Sequence, residues 1–200
     1  MDKIYFARNI KNNADGLSLM ILFTILWTII AETSIKSLGY QLIGLIFAAI
    51  IILFISYYIK FNKVSKQYPK KLIENENLED KKRGNKFVII FITEGLAILI
   101  TRNVLVNINM AELFVPCLAL IVGLHFFPLG RLFKRKIHYY IGAWITFIAV
   151  IAIIMSIAKL ADQNFITAFT GFGCAAGTSM MGAYMINNGK KYNQLLIEKN

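Results

Sequence analysis

Two hundred residues with a mean hydropathy of +0.58, 57% of them hydrophobic and only 16% charged, do not describe a soluble domain. Such domains carry charge nearer a quarter of their length. The net charge of +11 lies in short segments between long apolar runs. That pattern belongs to loops facing an anionic inner leaflet, and it excludes nucleic acid as the partner.

Six apolar runs reach the length of about 20 residues that crosses ~30 Å of hydrocarbon. They are Leu17–Thr33, Leu42–Phe61, Phe87–Val106, Ala111–Gly130, Tyr139–Ala158 and Phe165–Ile186. The expected fold is therefore all-α: one transmembrane domain over residues 1–200, an integral bundle of six helices. The first run follows Lys3, Arg8 and Lys11, as a signal peptide would. Its segment Thr28-Ile29-Ile30-Ala31 places a bulky Ile where cleavage wants a small residue, so it reads as an uncleaved helix. The N-terminal tail, the connection 62–86 with its approaches, the connection after the fourth run and the C-terminal tail hold 19 basic residues. The remaining connections and their flanks hold 3, namely Lys36, Arg102 and Lys159. A split of 19 to 3 places both termini and the loop 62–86 in the cytoplasm.

The third and fourth runs carry the ionisable groups that are expensive in a bilayer. Glu94 and Arg102 lie in the third and His125 in the fourth. At 1.5 Å per residue Glu94 sits about 10 Å from the cytoplasmic edge, and His125 about 9 Å from it. Ser179 of the sixth run reaches a similar level. Arg102 lies about 22 Å in, level with Glu32 of the first run. A short carboxylate cannot reach the interface, so Glu94 needs a partner. The expected pairs are Glu94 with His125 and, in an outer layer, Arg102 with Glu32. These contacts either line a path for a proton or small solute or fix helix register.

The fourth run also holds Pro116 and Pro128, one near each end, and each is expected to kink it. The segment Gly123-Leu124-His125-Phe126-Phe127-Pro128-Leu129, followed by an aromatic-basic exit from Phe133 to Tyr140, resembles a motif of an uncharacterised family of small bacterial six-helix membrane proteins. The resemblance covers the fourth and fifth runs. It implies a bacterial inner-membrane setting and no activity.

The sixth run is dense in small residues, with Gly173 and Gly177 in a G-x-x-x-G. Small residues let backbones approach where lipid removes the hydrophobic incentive to associate. The stripe suits a contact inside one chain, a seam with a second copy or partner membrane subunit, or the wall of a substrate path. Cys117 and Cys174 stand alone, and no metal or cofactor motif appears. Three functional classes follow. The first is a small transporter or channel-like protein with a Glu/His/Arg polar core. The second is an accessory or assembly subunit of a membrane complex. A distant third is an intramembrane hydrolase using Ser179 and His125, the one nucleophile and base at matching depth.

Overall fold

The computed structural model describes residues 2–35, 42–68 and 78–198. Its long elements are all helices: α1 (Asp2–Ile35), α2 (Leu42–Ser65), α3 (Leu78–Asn107), α4 (Phe114–Phe133), α5 (Ile137–Ile157) and α6 (Gln163–Glu198). A 3-10 turn, Ala111–Leu113, leads into α4. The first five helices are long and apolar enough to cross a membrane. The sixth is not among them, because Gly, Thr and Ser in its first half lower its mean hydropathy. Exposed Leu, Ile, Val and Phe cover the outer faces of α2 and α3, which suits contact with lipid.

Helices overrun the expected spans where the apolar pattern stops. The first and last have 34 and 36 residues, about 51 and 54 Å long. The segments read as N- and C-terminal tails are thus largely helix. The loop 62–86 is also shorter than expected, since α2 continues to Ser65 and α3 starts at Leu78; residues 69–77 lie outside the described set. Packing explains the overrun. Ile10, Ala14, Phe61 and Leu196 form a small buried cluster at this end, flanked by Phe6, Tyr57 and Tyr192. A charged helical segment stays helical when one stripe of it is buried.

Partner residues define the topology. Phe6 meets Tyr192, Gly16 meets Met185, Thr24 meets Thr178, and Trp27 and Ala31 meet Gly171. One index rises as the other falls, so α1 and α6 are antiparallel along their length. The same holds for α3 on α4 (Phe87 with Phe133), α4 on α5 (Gly130 with Tyr139) and α5 on α6 (Ile148 with Gly173). In contrast, Phe54 fills a notch at Gly182 and Phe61 one at Gly189, a constant offset that makes α2 parallel to α6. Chain direction alternates through six helices, and Asp2 and Glu198 belong to the same end.

The three connections from α3 to α6 are tight for a common reason. Asn109, Lys134 and Lys159 take left-handed φ values of 56°, 53° and 50°. The next amide in each case bonds back five residues: Met110 to Leu105 at 2.8 Å, Arg135 to Gly130 at 3.2 Å and Leu160 to Met155 at 3.0 Å. These are Schellman closures made without the usual glycine, at about 1 kcal/mol of local strain each.

Gly173 and Gly177 lie on the α5 contact, where an added Cβ would meet Ile148 and Ile145. Of the two prolines, Pro116 falls in the first turn of α4, where no intrahelical donor is required, so it starts the helix rather than kinking it. Pro128 lies inside α4, which continues without a break to Phe133.

Candidate functional site

Along the described part of α3 from Lys81, only Glu94 and Leu105 are buried. They are eleven residues apart, three helical turns, and share a face. That face lies on α4. Glu94, 7% exposed, places Oε1 at 3.1 Å from Nδ1 of His125. Both side chains are almost wholly out of solvent, at 6% and 9% accessibility. The approach satisfies an ion pair but not the direction of a hydrogen bond from the ring. The ring of Phe126 lies beside that of His125 with centroids 4.6 Å apart.

His125 also forms part of a cavity of about 630 Å³ enclosed by α1, α3, α4 and α6. The rim is polar and basic, with Arg8, Lys11, Asp15, Arg83 and Arg135. Asp15 and Arg83 are exposed, so the cavity opens at the end of the bundle where the termini lie. Its walls are apolar, among them Leu19, Phe87, Phe126, Leu129 and Met181. It ends about halfway along the helices, at His125 and Thr178. Two contacts seal that floor. Thr24 and Thr178 share a 2.8 Å hydrogen bond between α1 and α6, and the rings of Phe23 and Phe91 lie 6.2 Å apart between α1 and α3. The Thr178 hydroxyl also donates to the Ala175 carbonyl at 3.1 Å. Glu94 is behind His125, outside the cavity lining.

The remaining expected site residues fall elsewhere. Arg102 is exposed on α3 and makes no ion pair with Glu32 among the described residues. The reason is packing: α3 docks on α4 and barely approaches α1. Glu32 instead turns toward α2, its carboxylate filling the notch at Gly44, and its Oε1 is buried without a hydrogen-bond partner. Equal depth did not imply adjacency. Ser179 likewise makes no hydrogen bond with His125 among the described residues. Its hydroxyl is buried without a partner, and the neighbouring Thr178 takes the place on the cavity wall. The nucleophile-base geometry of a hydrolase is therefore not assembled there.

Sequence reasoning missed the rim and the floor. In the sequence Arg8, Lys11 and Arg135 count only toward topology, and Thr24 and Thr178 are not singled out at all. A matching of Thr24 and Thr178 by depth would have found the second pair, since both lie about a third to halfway along antiparallel helices. Among the described residues no group of three His, Cys, Asp or Glu side chains converges as a metal site would require. Compared with family models, with curated proteins and with solved structures, the chain finds no match in any of the three.

Proposed function

We propose that this chain is a six-span protein of a bacterial inner membrane, with both termini in the cytoplasm, and that it is transporter- or channel-like, with Glu94 and His125 as a proton-holding gate. Basic residues gather at the end holding the termini, which supports that orientation. The α6 helix crosses although its mean hydropathy is low, because α1, α2 and α5 cover its small-residue faces and little of it meets lipid. One observation carries the functional reading: a cavity open at the basic end stops on His125, and His125 touches Glu94, the one buried acid among the described side chains of α3. An imidazole at the cavity floor in contact with a buried carboxylate offers a place where a proton could be held. Helix α3 is the moving part, because its backbone packs mainly on α4 and meets α1 only through the Phe23–Phe91 contact. Separation of Phe23 from Phe91 would open the floor.

Proton flux into proteoliposomes carrying an internal pH dye tests this reading. Wild type is expected to conduct under an imposed gradient, and Glu94→Gln to lose that flux while remaining folded. Equal flux in protein-free vesicles and in both variants would leave Glu94 and His125 as a register contact. The accessory-subunit reading would then take its place. Reporter fusions after Asn200 and between α2 and α3 test the orientation, both being expected to report cytoplasm.

A further inference from the structure

The cavity is far larger than a proton path needs, and its chemistry is graded from rim to floor. About 630 Å³ falls in the range that holds a drug-sized ligand. Four basic side chains from α1, α3 and the α4–α5 turn converge on the rim: Arg8, Lys11, Arg83 and Arg135. Among the described residues the lining has a single carboxylate, Asp15, and Lys11 pairs with it. Basic side chains therefore outnumber acidic ones in the described lining. Arg135 makes no ion pair among the described residues. Below the rim the walls turn apolar and aromatic within two helical turns, and remain so down to His125 and Thr178.

We propose that this cavity binds an amphiphilic anion, with its acidic head at Arg135 and the neighbouring rim cations and its apolar tail between Phe87, Phe126 and Met181. A wholly polar anion would leave the apolar walls wetted, and a neutral apolar molecule would leave the rim unused. A cation would meet like charge at the mouth. The head chemistry is that of a phosphate or carboxylate, for which an Arg fork is the better match among basic side chains. Such a molecule can come from the bilayer, as an anionic lipid, or from the cytoplasm, as a soluble single-chain amphiphile. The inference rests on the cavity described above and names the substrate class of the transporter-like reading. It does not depend on proton flux through Glu94.

The test is native mass spectrometry of the full chain released from a neutral maltoside detergent, titrated with dodecyl phosphate. A one-to-one adduct is expected. Arg135→Glu is expected to weaken it at least tenfold, and so is Leu19→Trp, which fills the upper cavity. Because Arg135 lies at the rim, its variant separates loss of binding from loss of packing, and a melting curve in detergent checks both proteins. Inorganic phosphate at the same concentration should neither bind nor compete. Displacement by phosphatidylglycerol assigns the ligand to the bilayer; dodecyl phosphate that resists displacement assigns it to the cytoplasm. Equal adduct formation by wild type and both variants overturns the proposal. So does equal binding of dodecyltrimethylammonium, or full competition by inorganic phosphate. Binding without proton flux would retain the ligand site and remove only the gate.

Discussion

The α1–α6 seam and the α3–α4 junction hold the bundle together in opposite ways. Along the seam, contacts run from Phe6 and Tyr192 at one end to Ala31 and Gly171 near the other, with the small residues of α6 bringing the backbones close. No single side chain dominates it. At the junction, α3 offers one carboxylate and one leucine as buried side chains among its described residues, and a cavity ends beside the carboxylate's partner His125. The seam spreads its stabilisation over many van der Waals contacts, whereas the junction concentrates it in one ionisable pair. A distributed contact makes a rigid scaffold. A concentrated one can be broken at a single side chain.

Replacing the acid should break that contrast most severely. Glu94→Ala removes one partner of a buried pair, and the expected loss is about 3 kcal/mol, read as a lower unfolding midpoint in detergent. Amide exchange should rise in α3 while α1 and α6 keep their protection. Uniform exchange across all six helices would mean that α3 is no separate unit. The next largest effect is expected from Gly171→Ala. Its Cβ would lie 2.8 Å from the Trp27 carbonyl oxygen, and backbone cannot yield as a side chain can. About 2 kcal/mol is expected, against less for Gly173→Ala, where the side chain of Ile148 can turn away.

The same substitution on the other region should have the opposite sign. Nothing lies within 4 Å of a Cβ at Gly95, so Gly95→Ala should be neutral or stabilise by up to about 1 kcal/mol. A destabilised Gly95→Ala would reveal a close neighbour for α3. Thr24→Val should cost only about 0.6 kcal/mol, because interhelical hydrogen bonds in membranes are weak and Thr178 keeps its bond to Ala175. Thermal melting resolves whether that floor contact is as minor as the seam's distributed packing implies. Smallest of all is Arg102→Gln, expected within about 0.5 kcal/mol of wild type, since its side chain is exposed and unpaired with Glu32.

Much of the architecture can be read without coordinates. Apolar run length is a local property, and the bilayer thickness converts it directly into helices. The constant rise of a helix made the levels of Glu94 and His125 computable, and the price of an unpaired carboxylate in hydrocarbon made a partner necessary. The need of Gly173 and Gly177 for a neighbouring helix follows from the same medium. Those inferences use one coordinate, depth. Azimuth and neighbour choice need another. Arg102 and Glu32 share a level but not a helix contact, and Ser179 matches His125 in depth while Thr178 takes the cavity wall. The charged ends of α1 and α6 read as tails because hydropathy stops there, yet burial of Ile10, Ala14 and Leu196 against Phe61 keeps them helical. By itself the sequence determined the helical membrane class and the depth of each costly side chain, because both follow from local composition and a fixed rise. Only the tertiary structure decided which helices touch, that α3 packs chiefly on α4, and that a basic-rimmed cavity ends on His125. Those depend on how surfaces far apart in the chain fit together, which no local pattern encodes.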